Sequence, residues 1–469
     1  MSTRGSFSGR IGFILAAAGS AVGLGNIWRF PYLAGQNGGA IFLVVYLLCI
    51  VFLCIPVMIG EISIGRAAGS DAFGSYSKFG GRKWGMLGLF GIMAGVFILS
   101  FYNVVAGWAF GYFLHISFGD LLNTPDFGSF FGTFVTSLSG LLGSNFLFSA
   151  IFMVMTALIV SRGVQKGIEA ANKIMMPMLY TILLGIIIYS LTLPNAFAGV
   201  KFYLIPDFSE LRIQTVFDGL KQAFFSLSLG MGTLMTYGSY LSKKENVPGS
   251  AIIIASADTS VAFLAGLMVF PLVHFLQYKT GVADVATAGP PLVFIVLPQI
   301  FHEMGPALGR LIGGSFFLLV CFAALTSTVS LIEVPVAYLV DQKKMKRSTV
   351  VWIMAAVIFV IGMPSMMSQG MVPALNKMSF YRGQDFLSFI ADMCDISLTV
   401  GGCFMCIFIS RQWGIQNMDA ELAQGNDSYM KSAIRKYLHV TIRWVCPILL
   451  GIMSVLVIVE KFVGLENIF

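Results

Sequence analysis

Apolar runs of about twenty residues, the length that crosses a hydrocarbon core of roughly 30 Å, recur from one end of this 469-residue chain to the other. Eleven helical spans are predicted, over 11–34, 40–64, 86–117, 145–160, 167–192, 215–241, 248–277, 309–340, 349–369, 384–409 and 438–460, the fourth being short. The first run adjoins polar sequence and is closed by no small-residue cleavage site, so it is expected to remain in the mature chain rather than serve as a signal peptide. The fold class predicted is an all-α membrane protein.

Composition supports this reading and excludes others. With 57% hydrophobic and 11% charged residues and a mean hydropathy of +0.85, the chain has too little polar surface to coat a soluble globule. Lys and Arg cluster in alternate loops: Arg66, Lys78, Arg82 and Lys83; Arg162, Lys166 and Lys173; Lys243 and Lys244; Lys343, Lys344, Lys346 and Arg347; then Arg411, Lys431, Arg435 and Lys436. Basic loops stay cytoplasmic. A multi-pass protein of the cell (inner or plasma) membrane is therefore expected, with its amino terminus cytoplasmic and Phe469 outside. The net charge of +7 follows from this bias and gives no support for a nucleic-acid partner. The seven cysteines sit mostly inside spans, where they act as small apolar fillers, and no disulfide framework is expected. Cys403 and Cys406 form a lone C-x-x-C without the second pair that a metal site needs.

Two spans carry an interruption. The first contains SAVGLGNIWRFPY, with Gly23 and Gly25 one residue apart, and the sixth contains SLSLGMG, with Gly230 and Gly232 likewise. The two pairs hold corresponding places in two sets of five spans, an internal repeat. Glycine costs a helix about 1 kcal/mol relative to alanine, and paired glycines invite unwinding. Freed amides and carbonyls cannot face lipid, where each unsatisfied group costs several kcal/mol. They are expected to line an enclosed site where bare carbonyls suit a hard cation and half-helix amino termini suit an anion. Close helix packing is the alternative reason for such glycines.

The segments GRIGFILAAAGSAVGLGNIWRFPYLAGQNGGAIFLVVY, AFFSLSLGMGTLMTYGSY and ALTSTVSLIEVP closely resemble the neurotransmitter:sodium symporters, above all their bacterial, leucine-transporter-like amino-acid branch. The resemblance runs from about Gly9 to Trp413. It implies one transmembrane domain over 1–469, comprising a first repeat at 10–192, an inverted second repeat at 212–410 and an extra eleventh helix at 437–461. The broken first and sixth helices of such inverted repeats are the family's own signature.

Ionisable groups inside spans are costly and therefore functional suspects; the candidates are Arg29, Glu61, Asp258, Glu333, Asp392 and Asp395. The resemblance places Asp258 in a first sodium site with the Ala21 carbonyl, Asn26, Ser226 and the substrate carboxylate. Leucine-transporting members have asparagine at that position. Animal members need chloride nearby, and some bacterial members place a glutamate four residues further on. Here that residue is Ala262, and Asp258 itself is expected to carry the negative charge, so no chloride is expected. A second sodium site falls on Ala323, Thr326 and Ser327, which share one helical face, opposite the Gly19 and Val22 carbonyls.

The substrate pocket implied by the resemblance comprises Ser20, Ala21, Leu24 and Gly25, then Ile98 and Tyr102. Phe225, Ser226, Ser228 and Met231 follow from the sixth span, and Ser327, Ser330 and Leu331 from the eighth. Ser20 and Ala21 stand where monoamine carriers place an aspartate, so the ligand should bring its own carboxylate. Met231 replaces a phenylalanine of the leucine-type members. It is either a flexible wall admitting large apolar or aromatic amino acids, or plain filler.

Glu61, in GEISIGR, matches a glutamate that braces the broken helices. Arg29 matches an outer gate residue, with Asp392 and Asp395 both open as its partner because IADMCDISLTVGG departs from the family pattern. Arg4 and Asp341 match an inner gate, with Ser239 and Tyr240 nearby and Phe7 in place of a tryptophan. Arg4 is also explained by positive-inside charge alone.

The function expected is a sodium-coupled symporter of apolar or aromatic L-amino acids. It would take two sodium ions and no chloride, work by alternating access in the lipid bilayer, and exist as a monomer or homodimer. A proton-coupled permease of the same architecture and a binding-only nutrient sensor are the competing readings. An intramembrane hydrolase is disfavoured because the four histidines, His115, His274, His302 and His439, stand in no metal-binding or nucleophile-activating motif.

Overall fold

The computed structural model describes residues 5–119, 121–124, 126–136, 144–281, 292–381 and 383–463; Arg4 and Phe469 lie outside them. The described residues form helices and no strand, with one isolated bridge between Met378 and Gln384. The principal helices are α1 (Arg10–Ala21), α2 (Gly25–Gln36), α3 (Ala40–Ala68), α4 (Ala72–Ser117), α5 (Ser144–Ser161), α6 (Val164–Ser190), α7 (Ile213–Ser226) and α8 (Thr233–Gly238). They continue with α9 (Val247–Thr280), α10 (Pro306–Lys343), α11 (Arg347–Met367), α12 (Phe386–Trp413), α13 (Ile415–Ala423) and α14 (Ala433–Ile458). Among the described residues eight helices are long and apolar enough to cross a membrane, and nine if the bent pair α1/α2 is one span.

Local chemistry sets the ends of these helices. Asp71 caps α4 by accepting from the Gly74 amide at 3.2 Å, Asn246 caps α9 through Gly249, and Asp385 caps α12 through Ser388. The span predicted to start at 86 is preceded by a helical segment that the Asp71 cap opens at Ala72 and that turns at Gly81 (φ 76, ψ 177) into the membrane-crossing part of α4. Gly69, with φ 64, closes α3 in the left-handed conformation.

Helices α4 and α10 make the most extensive contact among the described residues, and α1 packs on both α9 and α10. The broken segments thus lie inside a shell of continuous helices. Small residues allow the approach: a Cβ on Gly65 of α3 would lie 1.9 Å from the Met235 carbonyl oxygen of α8.

Gly65→Ala should therefore lower the thermal unfolding temperature of the purified protein by several degrees, since overpacking costs about 1–3 kcal/mol. Gly95→Ala, whose Cβ would meet nothing within 4 Å, should hold or raise it; equal effects would remove the packing argument.

Candidate substrate and ion site

Helix α1 stops at Ala21 because Val22 is extended (φ −69, ψ 109). The axis resumes at α2, bent by 48°. Polar side chains, most of them from other segments, answer the groups this frees. The Leu24 amide donates to the Tyr102 hydroxyl at 2.8 Å, and the Gly23 amide donates to Asn26 Oδ1 at 2.9 Å. Gln222 Nε2 donates to the Gly25 carbonyl at 2.7 Å, while Ser228 Oγ and Ser327 Oγ donate to the Ser20 carbonyl at 3.1 and 3.3 Å.

A second break separates α7 from α8. Ser228 (φ 54), Gly230 (φ 81) and Gly232 (φ 78) adopt left-handed backbone conformations there. The Gly230 amide donates to Glu61 Oε1 at 2.7 Å, so the buried carboxylate of α3 takes up an amide the helix released.

The two breaks face each other across a cavity of about 20 Å³, room for roughly one water. Ser20, Ala21, Gly25, Ile98, Tyr102 and Phe225 line it, together with Ser226, Ser228, Met231, Ser327 and Leu331. Two expected residues lie elsewhere. Leu24 faces a larger vestibule on the α2 side, and Ser330 sits behind the wall, accepting from Ser20 Oγ at 2.8 Å. Gly23, which was not singled out as a pocket residue, does line the cavity, and a Cβ there would lie 2.3 Å from Ser327 Oγ.

Beside the cavity, Asp258 of α9 is fully buried. Its carboxylate accepts from Asn26 Nδ2 at 2.7 Å, from Ser226 Oγ at 2.8 and 2.9 Å, and from the Tyr46 hydroxyl at 3.2 Å. Tyr46 was missed, since an aromatic in an apolar span reads as core. Ala21 is placed by the cavity wall it shares with Ser226. On the other flank Thr326 Oγ1 donates to the Val22 and Ala323 carbonyls at 3.1 and 2.9 Å, and Ser327 Oγ lies 3.4 Å from the Val22 carbonyl. Gly19 adjoins them, a Cβ there falling 3.5 Å from Thr326 Cβ. Asn172 Oδ1, also against Gly19, is buried with no hydrogen-bond partner among the described residues. Carboxylate, hydroxyl and carbonyl oxygens predominate at both flanks, and no cluster of three His, Cys, Asp or Glu occurs among the described residues. This donor set suits a hard monovalent cation rather than a transition metal.

Above the cavity Arg29 forms a bidentate ion pair with Asp395 and lies 4.8 Å from the centre of the Phe225 ring. The two open candidates are thereby told apart. Asp392 instead accepts from the Tyr381 hydroxyl at 2.5 Å and pairs with Lys461 at 3.2 Å. The vestibule beyond holds about 480 Å³.

Below, Phe7 packs edge-on against Tyr237 and Tyr240, with ring centres 5.6 and 6.1 Å away. The Tyr240 hydroxyl donates to Glu333 at 2.8 Å, and the Ser239 hydroxyl donates to the Thr236 carbonyl. Asp341 Oδ2 accepts from the Asp71 amide at 3.0 Å; its expected partner, Arg4, lies outside the described residues. Two basic residues expected to be ordinary loop charges are partners of buried carboxylates instead. Arg347 pairs with the fully buried Glu333, and Arg66, with its side chain fully buried, pairs with Glu421 at 2.7 Å.

The profile described as the sodium:neurotransmitter symporter family matches residues 4–125 and 137–467. The chain belongs to that family. Among this symporter's relatives, the sodium-dependent transporter YhdH of Bacillus subtilis, itself uncharacterized, is 35% identical over 90% of this chain and 91% of its own. The Drosophila melanogaster sodium-dependent serotonin transporter is 29% identical over 81% and 68%. The crystal structure of MhsT in complex with L-phenylalanine superposes with a TM-score of 0.86 at 41% identity, covering 96% of this chain and 99% of MhsT. The protein is thus a sodium-dependent membrane transporter of an all-helical fold, from a family of transporters and not of enzymes.

In this symporter Asp395→Asn should loosen the lid formed by Arg29 and Phe225. A thiol introduced as Ser228→Cys should then react with a maleimide roughly ten-fold faster or more, as expected for loss of a charged hydrogen bond. All seven native cysteines are buried, so background labelling is low. Asp392→Asn should leave the rate within about two-fold, and equal rates in the two variants would show that the Arg29–Asp395 pair does not restrict access to the cavity.

Proposed function

We propose that this symporter couples uptake of a large apolar or aromatic L-amino acid to two sodium ions, without chloride, by alternating access. The observation that carries the reading is the pairing of two helix breaks across one cavity, flanked by two groups of oxygen ligands. The substrate carboxylate would lie against the unwound first span beside Asn26, Ser226 and Asp258, and the second ion between Gly19, Val22, Ala323, Thr326 and Ser327. Two charges moved across 100 mV supply about 4.6 kcal/mol, enough for more than a thousand-fold accumulation of a zwitterion.

Eleven spans in a five-plus-five inverted repeat, divided as 10–192, 212–410 and 437–461, suit the helix order, with α1/α2 and α7/α8 as corresponding broken helices. A cytoplasmic amino terminus and an external carboxyl terminus are supported by the basic loops. Arg29 and Asp395 would close the outer side over the substrate, and Asp341, Ser239 and Tyr240 the inner. A zwitterionic ligand is supported by Ser20 and Ala21 in place of an acid at the first break. The adaptable wall of Met231 and the L-phenylalanine complex of MhsT both favour a large side chain. Chloride independence is supported by the Asp258 carboxylate, which already engages Asn26, Ser226 and Tyr46.

Purified protein in liposomes should take up labelled L-phenylalanine when an inward sodium gradient is imposed at equal pH on both sides. Uptake that ignored sodium and followed a proton gradient would overturn the proposal. Asp258→Ala should raise the sodium concentration for half-maximal uptake roughly ten-fold or more, the effect of losing one ionic contact of about 1.4 kcal/mol.

Asp258→Asn should make uptake depend on chloride, because it removes the charge and frees Tyr46 and Ser226 to hold an anion. Equal uptake by that variant in chloride and in gluconate would show that these donors form no anion slot.

A further inference from the structure

Helices α4 and α12 enclose a groove that the transport cycle above does not use. At one end it holds about 450 Å³ between Lys83, Trp84 and Phe90 of α4 and Val400 and Phe404 of α12. It continues past Phe90 as a further 290 Å³, where Met93 and Phe97 face Met393 and Ser397. Phe90, Met93 and Phe97 recur along one helical stripe and are exposed. From Lys83 to Phe97 the helix rises about 21 Å, longer than one leaflet, which is half of a hydrocarbon core of roughly 30 Å.

Charge lies at one end only. Lys83 is exposed and pairs with no carboxylate among the described residues. It follows the turn at Gly81 and the exposed Arg82, beside Trp84, an indole of the kind that anchors at a membrane interface. Lys78, before the turn, is turned away to the carbonyls of Ala67 and Ala68. A free ammonium group at the head of an apolar channel of acyl-chain length is complementary to a lipid with a negative headgroup.

We propose that this groove binds an anionic glycerophospholipid, its phosphate on Lys83 and one acyl chain running between α4 and α12 past Phe90. The site backs onto the transport machinery. A Cβ on Gly91 of α4 would lie 3.2 Å from the Gly230 carbonyl oxygen, and one on Gly401 of α12 would lie 2.5 Å from the same atom. The two walls of the groove therefore grip the break between α7 and α8, and a chain wedged between them acts on the spacing of that grip.

Native mass spectrometry of the detergent-purified full chain, titrated with dioleoylphosphatidylglycerol or dioleoylphosphatidylcholine, tests the site without reference to any transported solute. The anionic lipid should bind at least five-fold more tightly. Lys83→Ala should weaken it about five-fold, the effect of one basic residue near a lipid surface. Val400→Trp should block the groove and weaken both lipids, and Lys343→Ala, at an exposed position elsewhere, should change neither. Equal binding of the two lipids, or unaltered binding in Lys83→Ala or Val400→Trp, would overturn the proposal. So would a dimer that Val400→Trp dissociates with no change in lipid binding.

Discussion

A backbone amide or carbonyl released from a helix inside a membrane must be met by another protein group, because no water is at hand and each orphan costs several kcal/mol. The centre of this symporter is organised by that requirement. Tyr102, Gln222, Ser228 and Ser327 bond to the first break, and Glu61 bonds to the second. None of these partners belongs to the segment it serves, so both breaks exist only within the assembled bundle. Because the partners come from α3, α4, α7, α10 and the second break itself, displacing a helix on one side of the cavity unsettles groups on the other.

The same constraint explains the distribution of charge. Buried carboxylates occur where donors converge. Asp258 gathers three hydroxyl and amide side chains, Glu333 faces Arg347 and Tyr240, and Glu421 is shared by Arg66 and Lys243. Such pairs add little net stability, yet breaking one strands a charge. They are therefore suited to hold alternative arrangements of the bundle apart. The Arg29–Asp395 pair caps the cavity on one side and the Glu333 cluster lies on the other.

The helical architecture and the two breaks were legible in the chain because a Gly-x-Gly in the middle of an apolar run has few explanations, and two in matching places have fewer. Most of the pocket followed from the resemblance carried by those segments. What stayed hidden is long-range and geometric. Asp392 and Asp395 are three residues apart on one helical face, so only the position of α12 relative to α2 decides between them. Arg66 and Arg347 read as loop cations, since charge bias reports the side of a membrane and not the partner. Tyr46 and Gln222 carry no local signal, and their roles come from what the opposing helix presents. Ser330 shares a face with Ser327, yet its hydroxyl turns to Ser20 and the Ser327 carbonyl, not into the cavity.

The most direct test is a high-resolution structure of the protein with L-phenylalanine and sodium. The account predicts an amino acid held between the two breaks, its carboxylate sharing an ion with Asn26, Ser226 and Asp258, and a second ion beside Thr326 and Ser327. A ligand bound only in the outer vestibule, with no ion at either group of oxygens, would contradict it.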